Sequence, residues 1–156
     1  LHRVDRRQRQ MCIRDSLIIV RPFTMYGSYM DYGENALVVA KFLNYYEKGV
    51  PLPLHGGGTQ ARDFLHADDA VVGLRLIIDY GRSNETYNLG SGKAVAVKSL
   101  AEVLTDRTVI LPARTGDVQS TQANIDKLLS LGYMPQHDVL DWLKLQKELL
   151  LWKRMN

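Results

Sequence analysis

The sequence predicts an α/β fold on three observations. Short apolar runs end at Pro or Gly, as strands do. Longer stretches repeat their apolar residues at helical spacing. The two kinds alternate irregularly along the chain. At 156 residues with 46% hydrophobic side chains, the chain suits one domain of ordinary size and excludes a disordered segment. Its single Cys excludes a disulfide scaffold and a four-thiolate zinc site. Apolar runs such as Leu17–Val20 fall far short of the roughly 20 residues of a membrane span, so a soluble protein with no membrane partner is expected.

A net charge of +3 suggests nucleic acid until the charges are located. Residues 1–16 hold Arg3, Arg6, Arg7, Arg9 and Arg14 against Asp5 and Asp15, which accounts for the whole excess. The remainder balances 15 basic against 15 acidic residues, so it carries no basic stripe and nucleic acid is not expected as a partner. Residues 1–16 lack an apolar period and a signal-peptide pattern. Met11-Cys12-Ile13-Arg14-Asp15-Ser16 resembles the translation of a sequencing-library adapter. We therefore read 1–16 as a non-native leader and 17–156 as the folded part.

Leu17–Arg21, closed by Pro22, reads as a strand buried on both faces. Residues 23–34, rich in Gly, Tyr and Asp, form a loop. Asn35 stands where an N-cap would open a helix over Ala36–Lys48, which Gly49 ends. Val50–His55 is extended and leads into the Gly56-Gly57-Gly58 turn. Arg62–His66 is a strand, and Asp68 or Asp69 caps a helix over Ala70–Tyr80 that stops at Gly81. Tyr87–Leu89 is a strand, followed by the Gly90-Ser91-Gly92 turn, a strand at Val95–Val97 and a helix over Lys98–Leu104. Val109–Leu111 is extended, a helix forms around Ile125–Leu131, and an amphipathic helix spans Val139–Arg154.

Generic motifs are mostly excluded. Gly90-Ser91-Gly92-Lys93 lacks the upstream Gly and the following Ser/Thr of a phosphate-binding loop, since Tyr87 and Ala94 stand there. There is no glycine fingerprint for a dinucleotide and no Tyr with a Lys four positions later. His2, His55, His66 and His137 have no metal-ligand spacing, so no metal is expected.

Five segments taken in order carry a resemblance. They are Arg21-Pro22-Phe23-Thr24-Met25-Tyr26-Gly27; Gly33-Glu34-Asn35-Ala36-Leu37; Pro51–His55 with Gly56-Gly57-Gly58-Thr59-Gln60-Ala61-Arg62-Asp63-Phe64; Tyr87-Asn88-Leu89-Gly90-Ser91-Gly92; and Ala113-Arg114-Thr115-Gly116-Asp117-Val118. Together they resemble the C-terminal half of the extended short-chain dehydrogenases, the NAD-dependent nucleotide-sugar epimerases and dehydratases, with UDP-glucose 4-epimerase-like members nearest in shape.

The resemblance implies the C-terminal part of a Rossmann-type domain, contributing the last sheet strands, plus a small α/β substrate-binding lid. It implies NAD as the cofactor of the complete enzyme, a UDP- or dTDP-sugar as substrate, a homodimeric parent and a cytoplasmic location. By the resemblance, Pro22 and Phe23 lie beside the nicotinamide, with Phe23 and Thr24 next to the sugar. Many members have Asn where Thr24 stands. Asn35 matches a diphosphate ligand at a helix start, Pro53 and His55 lie along the base, Arg62 and Arg114 bracket the pyrophosphate, and Asp117 binds the ribose. Guanidinium forks suit a diphosphate and a carboxylate suits a ribose diol.

On the residues alone other readings stand: Arg62 paired with Asp63 or Asp68, Asn35 only a cap, His55 an exposed strand residue. Tyr26, Tyr87 and Asn88 read as fold-holding. The functional expectation is the sugar-nucleotide-binding portion of a 4-epimerase or 4,6-dehydratase. Such a portion is inactive by itself, because the glycine loop and the Tyr-x-x-x-Lys pair are absent and no catalytic residue is assigned. The alternative is a non-catalytic nucleotide-binding or interaction module.

Overall fold

The computed structural model describes residues 17–33 and 36–155. The leader at 1–16 and the predicted ligand Asn35 lie outside the described residues. The expected α/β architecture forms. β1 (Ile19–Pro22) runs parallel to β5 (Thr86–Leu89), with Ile19 opposite Thr86. β2 (Thr24–Tyr26) runs parallel to β4 (Ala61–His66), whose other edge pairs antiparallel with β6 (Ala94–Ala96). β3 (Leu52–His55) runs parallel to β7 (Thr108–Leu111). The helices are α1 (Val38–Glu47), α2 (Ala67–Tyr80), α3 (Val97–Leu104), α4 (Asp126–Leu129) and α5 (Val139–Met155).

β4 is the wall between two apolar cores. Successive strand side chains point to opposite faces. Phe64 therefore packs with Tyr26, Phe42, Leu54, Leu100 and Leu143, whereas Leu65 packs with Ile77, Leu89, Leu128 and Tyr133. Asp63 shares the Leu65 face and is fully buried. Its carboxylate accepts from the Ser91 amide at 2.7 Å, the Ser91 hydroxyl at 2.8 Å, the Gly92 amide at 2.9 Å and the Ala123 amide at 3.0 Å. The Gly90-Ser91-Gly92 turn is thus folded around a carboxylate, and its first glycine is required by close approach. A Cβ at Gly90 would stand 2.5 Å from the Cβ of Ala123 and 3.0 Å from Asp63 Oδ2.

Several expectations are corrected. β1 is not buried on both faces: Ile19, Arg21 and Pro22 are exposed, because among the described residues only β5 pairs with it. The first helix begins at Val38, two residues later than expected, with Leu37 at the N-cap position and no cap from that residue's own side chain. α2 begins at Ala67, three residues early, because the His66 imidazole accepts from the Asp68 amide at 3.2 Å and serves as the cap. Asp68 and Asp69 fall instead in the first turn, where their charge favours the helix dipole. Val97 opens α3 rather than closing β6, and α4 is shorter than expected. Tyr87 and Asn88 hold the fold as expected. The Tyr87 hydroxyl accepts from the Arg82 amide at 3.0 Å, and the Asn88 amide donates to the Asn124 carbonyl at 3.0 Å.

Asp69 joins α2 to the segment that leads into α5. It accepts from the amides of Gln136 and His137 at 3.1 and 3.0 Å and from His137 Nδ1 at 2.9 Å. Burial pushes its carboxyl up, but those hydrogen bonds outweigh burial and hold it below the ordinary value. The rings of His66 and His137 stack with centroids 4.1 Å apart and planes at 19°. One ligand atom each of His66, Asp68 and His137 lies within 4.8 Å of the others. A metal sits in the plane of each imidazole that binds it, and two near-parallel stacked rings do not converge on one ion.

Burial lowers the basicity of His66, and His137 lowers it further against a partial offset from Asp68 and Asp69. The folded state therefore prefers the neutral ring, while the unfolded chain takes a proton near the ordinary 6.5. The unfolded state then binds more protons, so stability falls as pH drops through and below that value. Thermal unfolding followed from pH 7.5 to 5 is expected to show a falling midpoint in the native sequence. The fall should be smaller in His66→Asn, which keeps a capping acceptor but does not titrate. Parallel profiles would refute the assignment.

The Tyr26 ring is buried edge-on to His66 at 5.1 Å and to Trp142 at 5.3 Å, and its hydroxyl has no hydrogen-bond partner among the described residues. Removing an unsatisfied buried hydroxyl relieves its desolvation cost. Tyr26→Phe is therefore expected to raise stability by about 1 kcal/mol in urea unfolding; a loss of stability would show that the hydroxyl is satisfied.

Candidate functional site

Strand alternation on β3 and β4 builds the site. On β3, Leu52 and Leu54 are buried, which turns Pro53 and His55 to the opposite face. On β4, the Asp63–Leu65 face is committed to the second core, which leaves Arg62 on the other side. After β7, the chain turns back through Arg114-Thr115-Gly116-Asp117, closed by a bond from the Asp117 amide to the Arg114 carbonyl at 3.2 Å. Gly116 has φ of +79°, a value that favours glycine at the third position of such a turn. The turn places Arg114 and Asp117 at its two ends. The loop then returns to β4, where the Ala61 amide donates to the Gln119 carbonyl at 2.8 Å and the Ala61 carbonyl accepts from the Thr121 amide at 3.1 Å.

These elements enclose a cavity of about 460 Å³, lined among others by Thr24, Pro53, His55, Arg62, Arg114 and Asp117. That volume falls within the range of roughly 300–1,000 Å³ common for small-ligand sites. The structure thus brings together six of the residues singled out in the sequence. Phe23 is not among the lining residues: it packs against the second core. With Pro22, Thr24, Met25, Leu37 and Thr121 it lines an adjoining open cleft of about 470 Å³. Thr24 and Leu37 border both spaces.

The polar groups of the cavity are held in a fixed pattern. Arg62 Nη2 donates to Asp117 Oδ1 at 2.5 Å, and its Nη1 donates to the Ala61 carbonyl at 2.8 Å. The expected pairings of Arg62 with Asp63 or Asp68 do not form. His55 Nδ1 contacts the Pro112 carbonyl at 3.2 Å, and an oxygen there can only accept, so Nδ1 carries the proton. Its Nε2 lone pair then accepts from Arg114 Nη2 at 3.0 Å. This makes His55 a neutral ring that steers one guanidinium. The Arg62–Asp117 pair is partly exposed and contributes about 1 kcal/mol at most, so an incoming anion can compete for the arginine.

The sequence reading missed Lys41, Tyr45, Gln60 and Leu111, which also line the cavity, and the start of α1 at Ala36, Leu37 and Val38. A lysine on the apolar, tyrosine-bearing side of a helix was the available signal for Lys41. Counting lining charges gives Lys41, Arg62 and Arg114 against Asp117, a surplus of two positive charges. The amides at the start of α1, which Leu37 at the N-cap position leaves without a side-chain cap, add a positive dipole end. A second cavity of about 350 Å³, bordered by Tyr26, Tyr29, Met30 and Leu37, has Asp31 and Asp68 on its wall and no Lys or Arg. An anion would be repelled there and attracted to the first.

The family model described as "NAD dependent epimerase/dehydratase family" matches residues 6–90. A dTDP-glucose 4,6-dehydratase of Actinoplanes is 30% identical over 116 residues, which are 69% of this chain and 35% of that protein. The crystal structure of UDP-glucose 4-epimerase with UDP-glucose from Thermotoga maritima superposes with a TM-score of 0.81 at 26% identity, over 96% of this chain and 51% of that one. A dTDP-glucose 4,6-dehydratase from Streptomyces venezuelae with NAD bound gives 0.75 at 27% identity, over 90% and 44%. The chain therefore spans about half the length, or less, of the proteins it matches. No helix among the described residues is long and apolar enough to cross a membrane.

Proposed function

Because the chain belongs to the NAD-dependent epimerase/dehydratase family, we propose that it forms the nucleotide-sugar-binding portion of such an enzyme, taking a UDP- or dTDP-sugar. The observation that carries this reading is the convergence of Arg62, Arg114, His55 and Asp117 on one cavity with surplus positive charge. In this reading the arginines and the start of α1 hold the diphosphate. Asp117 accepts from the ribose, Pro53 and His55 flank the base, and Thr24 faces the sugar at the border with the cleft of Pro22 and Phe23.

That cleft offers a flat apolar edge suited to one face of a nicotinamide ring. The sequence has no glycine loop for the dinucleotide pyrophosphate, so this chain would supply only part of an NAD site. NAD, when bound, supplies the hydride acceptor of the family's chemistry. The residues of this chain contribute position: binding energy from the nucleotide is used to hold the sugar in reactive geometry. Homodimeric assembly of the complete enzyme and a cytoplasmic location belong to the same proposal.

Titration calorimetry of the chain with UDP, dTDP and uridine tests it. A nucleoside diphosphate is expected to bind, uridine much more weakly, and no epimerase turnover is expected with NAD and UDP-glucose. Absence of nucleotide binding would favour a pure interaction module, and turnover by the chain alone would overturn the assignment of a binding portion.

A further inference from the structure

We propose that Lys41 is a diphosphate-binding residue of the cavity, the charge that makes the site selective for a nucleoside diphosphate over a monophosphate. This rests on the nucleotide reading of the cavity and deepens it. Residues four apart on a helix lie on one face. Leu37, Lys41 and Tyr45 therefore form a row along α1, and all three line the cavity. The row starts at the helix N-terminus, where the Leu37 carbonyl takes the Lys41 amide at 3.0 Å. Lys41 thus stands one turn beyond the first amides of the helix.

The charges already engaged show what the lysine adds. Arg62 has one terminal nitrogen on Asp117 and the other on the Ala61 carbonyl, so most of its charge is already answered. Arg114 keeps its full charge, because the ring it contacts is neutral. Lys41 is half-buried and makes no ion pair or side-chain hydrogen bond among the described residues. Lys98 and Lys127, by contrast, pair with Glu102 and Glu85. Among the described residues, the uncompensated charges of the cavity are thus those of Lys41 and Arg114, one for each phosphate group of a diphosphate. A monophosphate reaches only one of them at full strength. A flexible ammonium on a four-carbon stem also tolerates the variable position of a second phosphate better than a planar fork does.

The test is calorimetry of the full chain with UDP, UMP and uridine, repeated for Lys41→Gln, Lys41→Arg and Arg114→Ala, with unfolding midpoints recorded for each. Lys41→Gln is expected to weaken UDP roughly tenfold, weaken UMP much less and leave uridine unchanged, at an unaltered midpoint. Lys41→Arg should retain most of the UDP affinity. If Arg114→Ala weakens UDP but Lys41→Gln does not, or if Lys41→Gln weakens UDP and uridine alike, this inference falls while the nucleotide reading stands. If the unmodified chain binds neither UDP nor UMP, both fall together.

Discussion

Asp63→Ala is expected to destabilise the chain by about 3 kcal/mol, lowering the thermal midpoint by roughly 10 °C. The carboxylate is fully buried and satisfies three backbone amides and one hydroxyl, drawn from the Ser91–Gly92 turn and from Ala123. Alanine would strand those donors in a closed interior, where even a Cβ added at Gly90 would stand only 2.5 Å from that of Ala123. Each stranded donor costs about 1–3 kcal/mol before relaxation. Asp79→Ala is the control: that carboxylate forms an exposed pair with Arg75, and its loss should change stability by less than about 0.5 kcal/mol. Equal effects from the two variants would remove Asp63 from the framework.

Arg114→Ala is expected to weaken UDP by roughly 10–100-fold, the range of one or two charge-assisted hydrogen bonds. Arg62→Ala should cost more. It removes a guanidinium and also leaves Asp117 as an unbalanced negative charge facing the incoming diphosphate. Both should leave the free energy of unfolding within about 1 kcal/mol of the native value, because the Arg62 side chain is partly exposed and Arg114 is exposed. Calorimetry reads the affinity, and denaturation run in parallel separates loss of grip from loss of fold. Unchanged UDP affinity in both variants would detach the cavity from nucleotide binding.

Features that depend on near neighbours in the chain were readable from the sequence. The alternation on β3 and β4 follows from a period of two, which turns His55 and Arg62 away from Leu54 and Leu65. The turn at Arg114–Asp117 follows from a glycine at its third position. Features that depend on distant partners were not readable. Asp63 looks like an ordinary polar strand residue until Ser91 and Ala123 arrive beside it. Asp69 looks like a helix cap until Gln136 and His137 claim it. Arg62 has acidic residues near it in sequence, yet its partner is Asp117 across the cavity. The start of α2 was misplaced because an imidazole took the capping role usually given to Ser, Thr, Asp or Asn. Lys41 escaped notice because its helix was read for its apolar side alone.

The anchoring of the Arg114–Asp117 segment at each end, to β3 on one side and to Ala61 on the other, has a consequence for how such a site diversifies. Leu111 ends a strand paired to β3, and Gln119 and Thr121 are fastened to Ala61. Between those two anchorages the chain is a handle whose length and composition can change without disturbing either core. Grafting a longer handle there should re-tailor the guest that the protein accepts while its scaffold keeps its melting behaviour.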